Sequence, residues 1–142
     1  TQPATLRQLF LAAIRCGAKR LCLCDTVGHA TPAGAANLVR FANALFAATP
    51  RPLTWLHLPV PIERDDEAYF APLASLERPE GLELYLGLVH REDGAAGAQR
   101  RIDAASKFVS EFGVGTECGI GRAPEGSTEG ILRTHADVVS AW

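Results

Sequence analysis

Polar side chains that could do chemistry close four short apolar runs of this chain. Asp25 follows the first run, His57 and His90 end the second and third, and Glu117 with Cys118 ends the fourth. Carboxylates and imidazoles transfer protons, and thiolates and imidazoles ligate zinc. The spacing predicts that these strand ends meet at the carboxyl edge of one parallel sheet, where α/β enzymes place their sites.

Cys118 is the residue to test first, because the segment Gly119-Ile-Gly-Arg122 follows it directly. A nearby positive charge favours the thiolate, which is the form that ligates zinc or attacks an electrophile. Arg122 and the amides of the next helix would also suit a substrate carboxylate or phosphate. The alternatives are a small buried apolar side chain for Cys118 and a surface role for Arg122.

The other candidates have structural alternatives too. Glu117 could serve as a base or a ligand, but it shares a site with Cys118 only if the strand ends there, because adjacent strand residues face opposite ways. His57 and His90 could ligate a metal or transfer protons, or they could be hydrogen-bonded structural histidines. Asp25 could orient a histidine, bind a metal or cap a turn.

The hydrophobic pattern predicts the elements that would position these residues. Helical spacing and capping signals predict helices at residues 3–16, 32–48 behind Thr31, 68–76, 95–112 and after Ser127. Apolar runs predict strands at residues 20–24, 53–58, 82–89 and 114–117. Strict alternation of helices and strands indicates a parallel sheet joined by right-handed crossovers.

Four βα units amount to half of a (β/α)8 TIM barrel, which usually needs ~250 residues. We therefore expect an α/β fold with four parallel strands, as a single half-barrel domain over residues 1–142. The alternative is an open four-stranded sheet. A dinucleotide-binding fold is disfavoured because the segment after the first strand, Asp25 to Pro32, lacks G-x-G-x-x-G.

Composition excludes several classes of partner. The chain has 142 residues, 47% of them hydrophobic, and a net charge of -2 without a basic block, so we expect no nucleic-acid partner. No apolar stretch approaches the ~18 residues of a membrane span, and no signal peptide is recognised. The spacing of the cysteines favours reduced thiols in the cytoplasm. The chain contains no methionine, which indicates a piece of a longer protein or a processed form.

The segment Leu23-Cys-Asp-Thr-Val-Gly-His-Ala-Thr-Pro32 resembles the acyl-CoA lyase and synthase family, which includes hydroxymethylglutaryl-CoA lyase and isopropylmalate synthase. The resemblance covers residues 1–45 and implies a metal-dependent barrel that makes or breaks carbon–carbon bonds with Asp25 in its site. The family's Arg-Asp-Gly strand is absent. Its H-x-H-x-D strand is replaced by His57-Leu-Pro-Val-Pro61, so only His57 corresponds.

Residues 51–142 are similar to another barrel family, that of the catalytic domain of cobalamin-independent methionine synthase in the uroporphyrinogen-decarboxylase-like group. The motifs are His57 to Arg64 with Tyr69 to Leu73, Tyr85 to His90 with Asp93-Gly94, and Phe112 to Arg122. The resemblance implies that Cys118 is a zinc ligand. The family's H-x-C pair, which supplies two further ligands, is missing from this chain. The two resemblances meet at a junction near residues 49–52.

Three functions follow from these patterns. In the first, the chain is the C-terminal half of a methionine-synthase-like barrel enzyme that performs zinc-thiolate-dependent methyl transfer involving a thiol substrate. His90 and Glu117 then lie in the pocket, and Arg122 and His57 bind substrate. The second is acyl-CoA lyase or synthase chemistry that uses Asp25. The third is a non-catalytic half-barrel whose open strand edges pair with a partner or with a second copy. The candidate partners of the chain are thus a homodimer mate and a missing N-terminal half-barrel.

Overall fold

Three parallel strands form the centre of an α/β fold in the computed structural model, which describes residues 3–19, 31–116, 121 and 123–141. Along the chain the elements are α1 (Pro3–Arg15), α2 (Pro32–Ala48), β1 (Trp55–Pro59), α3 (Glu67–Phe70), β2 (Glu83–Val89), α4 (Gly94–Ala105), β3 (Phe112–Thr116) and α5 (Thr128–Ala141). A 3-10 turn, Ala71–Ser75, follows α3. The strand order is β1-β2-β3, and both pairings are parallel. The predicted alternation and parallel sheet are confirmed for these three strands, while the predicted strand at 20–24 lies outside the described residues.

The hydrophobic core lies on one face of the sheet. Alternate strand residues, Leu58, Leu84, Leu86, Leu88, Phe112 and Val114, point to this face and are buried. Helices α2, α4 and α5 pack on them through Val39, Ile102 and Val138, among other residues. The core helices therefore all cover the same side.

The opposite side, here called the open face, carries the other strand residues. It presents Trp55 and His57 from β1, Glu83, Tyr85 and Gly87 from β2, and Gly113 and Gly115 from β3. None of the described helices that build the core covers it, and Trp55 remains 47% exposed. A parallel sheet is normally covered on both faces, so the open face is the surface on which to look for a site or a partner.

Helix α2 begins as its sequence predicts. The hydroxyl of Thr31 accepts a hydrogen bond from the Gly34 amide at 3.1 Å, and Pro32 occupies the first turn. Both features satisfy or avoid the unpaired amides of a helix start. Phe41 of α2 meets Phe10 edge to face at 5.3 Å, which fixes α1 against α2.

The predicted helix at residues 95–112 is too long at its C-terminal end. Helix α4 stops at Ala105, where the Ser106 hydroxyl donates to the carbonyl of Ile102 at 2.8 Å. Glu111 then turns the chain with a φ of 56°, and Phe112 is already the first, buried residue of β3. Phe112 fits the helical spacing of the residues before it, but it also alternates with Val114 in Phe112-Gly-Val-Gly. The strand forms because the Phe112 side chain packs on the core face of the sheet.

The end of β2 is irregular. Leu86 pairs with Val114, but Val89 rather than Leu88 pairs with Thr116, so β2 contains one extra residue before His90. Bulges of this kind re-aim the side chains that follow them.

Within the part of the chain that the structure describes, no helix is long and apolar enough to traverse a lipid bilayer.

Candidate functional site

The imidazole of His57 lies across the open face, over β2 and onto β3. A β-carbon built on Gly87 would lie 3.4 Å from its Cε1, and one built on Gly115 would lie 2.7 Å from its Nε2. The ring therefore occupies the space that side chains at these two positions would fill. We call His57, Gly87, Gly115 and Thr116 the His57 platform.

The environment of His57 keeps its ring neutral. Partial burial lowers the pKa of His57 below the usual range, and a hydrogen bond with the Thr116 backbone opposes this only in part. Because that bond favours the protonated ring, the ring N–H donates it to the backbone carbonyl. The other ring nitrogen then carries a lone pair near neutral pH, as a proton acceptor or metal ligand requires.

The His57 platform adjoins the strand end that the sequence singled out, since Thr116 directly precedes Glu117 and Cys118. Asp25, Glu117, Cys118 and Arg122 lie outside the described residues. Their predicted convergence with His57 stays a prediction. So does the acyl-CoA interpretation, which requires loss of turnover in Asp25→Asn with acetyl-CoA and a 2-oxo acid as substrates.

His90, the other described candidate, is held differently. It is 4% exposed, and its Nε2 lies 2.8 Å from the carbonyl oxygen of Val60, in the loop after β1. One ring nitrogen is thus committed to joining the ends of β1 and β2. The geometry supports the structural alternative for His90.

An ion pair beside His90 was missed by sequence reasoning. Arg101 of α4 is 0% exposed and donates two hydrogen bonds to the Asp93 carboxylate, at 2.7 and 2.8 Å. It also donates to the carbonyls of Leu88 at 2.9 Å and Ile62 at 2.8 Å. The signal available was a basic residue within the apolar stripe of α4, eight positions after Asp93.

The Arg101 guanidinium holds the pKa of Asp93 below its usual range, chiefly through these hydrogen bonds. We call His90, Asp93 and Arg101 the anchor cluster, because it ties the end of β2, the loop after β1 and α4 together. Its polar atoms are satisfied: among the described residues no buried side-chain nitrogen or oxygen lacks a hydrogen-bond partner. Arg101 uses four of its five N–H groups in these bonds, so it has little left for a ligand.

The amino-terminal half of the open face has a different character. The Tyr85 hydroxyl donates to the Glu83 carboxylate at 2.8 Å, and this bond raises the pKa of Tyr85. The Tyr85 ring lies over Gly113, where a β-carbon would come within 2.4 Å of it. Gly113 and Gly115 thus give the open face room for two rings, Tyr85 at one end and His57 at the other.

A zinc site cannot be assembled from the described residues alone. Within residues 3–19, 31–116, 121 and 123–141, no three histidine, cysteine, aspartate or glutamate side chains lie close enough together to hold a metal ion. His57 is a single candidate there, and structural zinc needs four ligands whereas catalytic zinc needs three. A complete site would have to draw on Cys118 and on further groups.

Comparisons with known proteins give no family for this chain. No family model, no curated protein and no solved structure matches it.

Proposed function

We propose that this chain is half of a (β/α)8 barrel enzyme that transfers a methyl or similar one-carbon group to or from a thiol. The barrel part is supported by the side on which the core helices pack. In a (β/α)8 barrel, helices cover the outside of a parallel sheet and side chains fill the inside. The core helices α2, α4 and α5 lie on one face only, and the glycine-rich open face corresponds to the inside.

The observation that carries the chemical part is the position of His57. Its neutral ring reaches the carboxyl end of β3 and bonds to the residue that immediately precedes Glu117-Cys118. A neutral imidazole there can take the proton of a substrate thiol, since a thiol must lose its proton before its sulfur can attack carbon. The thiolate then forms the new bond to the methyl carbon, while the donor leaves with the electron pair of the broken bond.

Cys118 enters this proposal as a zinc ligand and Arg122 as the group that holds a substrate anion. Zinc bound there would stabilise a substrate sulfur as thiolate near neutral pH. The described residues do not complete the ligand set, and the acid–base role proposed for His57 does not require the metal.

Metal analysis of purified protein tests the role of Cys118. The wild type and Cys118→Ala are each exchanged against buffered zinc and washed, and zinc per chain is measured. We expect substantially less zinc in Cys118→Ala. Cys16→Ala is the matched control, because Cys16 is an exposed thiol at the end of α1 and its loss should leave zinc unchanged. Equal zinc in the wild type and Cys118→Ala rejects the ligand role.

A further inference from the structure

The exposed large hydrophobic side chains of the described chain are confined to three surfaces. Trp55 (47% exposed) lies on the open face, Leu9 (60%) on α1, and Leu132 (60%) and Val139 (53%) on α5. Single exposed apolar side chains are ordinary, and only Leu132 and Val139 share one element, so these residues point to a contact only together with the stripes and charges of the same helices. In a half-barrel, the first and last helices and the open face would border the other half.

Both terminal helices carry an exposed stripe along one side. On α5 the stripe is apolar, at positions i, i+4 and i+7, and consists of Leu132, Ala136 and Val139. On α1 the exposed residues at the same spacing are Thr5, Leu9 and Ala12, so two apolar side chains follow a threonine that adds a methyl group. Residues so spaced lie along one side of a helix, so each stripe can pack against another helix.

The same two helices carry opposite charge. Residues 3–19 contain Arg7, Arg15 and Lys19 and no acidic residue, and all three cations are exposed. In α5, Glu129 and Asp137 outnumber Arg133, which pairs with Glu129. The asymmetry extends along the chain: residues 1–61 contain six Lys or Arg and one Asp or Glu, whereas residues 62–142 contain eight and fifteen.

These complementary surfaces lie on different sides of the molecule. Helix α1 packs on α2, which covers β1, while α5 packs against α4, β2 and β3. Placed in this way, the cationic helix α1 and the more acidic helix α5 can face each other across a contact between two molecules. A two-fold axis would bring them together twice, with identical contacts.

We propose that a second copy of this chain covers the open face, with α1 of each protomer packed against α5 of the other. The proposal rests on the half-barrel part of the proposed function. The exposed stripes supply buried area, and the charges determine which helices pair. The two open faces together enclose the interior of one barrel, so each His57 platform faces the partner's sheet.

Paired charge reversals test this contact with exposed residues only. One variant carries Arg15→Glu on α1, three residues after Ala12, and the other carries Glu129→Lys on α5, three residues before Leu132, so each charge flanks its exposed stripe. Light scattering and sedimentation should give the wild type twice the 15.2 kDa chain mass. Each variant alone should dissociate at least about tenfold more readily, because both of its helix contacts then join like charges.

An equimolar mixture of the two variants should recover the dimer, since both contacts are complementary again in the mixed pair. Circular dichroism checks that each variant is folded, and Asp103→Lys on the exposed side of α4 is the control that should dimerise normally. A wild type that is monomeric at every concentration overturns the proposal, as does a mixture no more associated than its components. Zinc binding through Cys118 is measured separately, so a zinc-binding monomer rejects the interface but not the methyl-transfer proposal.

Discussion

The anchor cluster and the His57 platform both use polar residues near the ends of parallel strands, and they differ in what is left unbonded. In the anchor cluster, Arg101 is 0% exposed and directs its donors to Asp93 and two backbone carbonyls. In the His57 platform, a half-buried ring bonds the Thr116 backbone and lies over glycines on the open face. The first arrangement stabilises the fold, whereas the second leaves a lone pair available for chemistry.

The comparison shows why a polar strand end is a weak signal of function by itself. His57 and His90 look equivalent in the sequence, because each closes an apolar strand. Their hydrogen-bond partners distinguish them. His90 bonds to the loop after β1, while His57 bonds to the Thr116 backbone in β3, two residues before Cys118 in the sequence. Substitutions in the two groups can therefore test whether the anchor cluster is structural and the His57 platform is not.

Breaking the anchor cluster should have the largest effect on stability. Arg101→Met removes a buried cation and leaves the Asp93 carboxylate and the carbonyls of Leu88 and Ile62 without their donor. We expect a loss of about 3–5 kcal/mol in the free energy of unfolding, measured by urea denaturation. The control is Arg133→Met, which breaks an exposed pair with Glu129 and should cost below about 0.5 kcal/mol. Similar losses in the two variants would contradict the structural role.

The substitution Gly97→Ala should destabilise the same cluster less. The new β-carbon would lie 1.8 Å from a carboxylate oxygen of Asp93, so the carboxylate must move away from Arg101. We expect destabilisation of about 1–3 kcal/mol by urea denaturation. Gly130→Ala in α5 is the matched change, because its β-carbon meets nothing within 4 Å and alanine favours the helix. If Gly97→Ala is as harmless as Gly130→Ala, Asp93 is not held as described.

The His57 platform should respond to Gly115→Ala in its electrostatics more than in its stability. A β-carbon 2.7 Å from Nε2 pushes the ring off the sheet toward water, so the pKa of His57 should rise toward its usual value. Ring proton shifts followed by NMR against pH measure this. Gly113→Ala crowds Tyr85 instead and should leave the His57 titration as in the wild type. An unchanged His57 pKa in Gly115→Ala would show that the ring does not lie over Gly115.

The smallest expected effect is the pH dependence of stability, which should fall in two separate windows. Because the pKa of His57 is lowered, its contribution to the free energy of unfolding is complete above about pH 6.5, the usual histidine pKa. This contribution declines as the pH falls below that value. Because the pKa of Asp93 is also lowered, its contribution to the free energy of unfolding is lost only below about pH 4, near the usual aspartate pKa. His57→Gln should remove the upper window and keep the lower one. A variant that retains both windows would assign the upper one to another group.

Local signals predicted most of the described fold. Thr31-Pro32 marked the start of α2, and the apolar runs ending near His57 and His90 located β1 and β2 to within two residues at either end. The boundary between α4 and β3 was wrong because the residues before Phe112 fit a helix as well as a turn. Only the pairing of β3 with β2 decides between them.

The site was less predictable than the fold, for a physical reason. Residue types can be read along the chain, but the partners of His57, His90 and Arg101 come from segments that are distant in the chain. Arg101 contacts Ile62, 39 residues away, and His90 contacts Val60, 30 residues away. Gly87 and Gly115 matter only because a ring from a different strand crosses them, which no local pattern records.

The most direct test of the account compares the ring nitrogens of His57 and His90 by NMR while zinc is titrated into the wild type. The account predicts a saturable change in the His57 signals, because its platform adjoins Cys118 in the chain, and no change in His90, whose Nε2 is bonded to Val60. A response from His90 with His57 silent, or from neither ring, would contradict it.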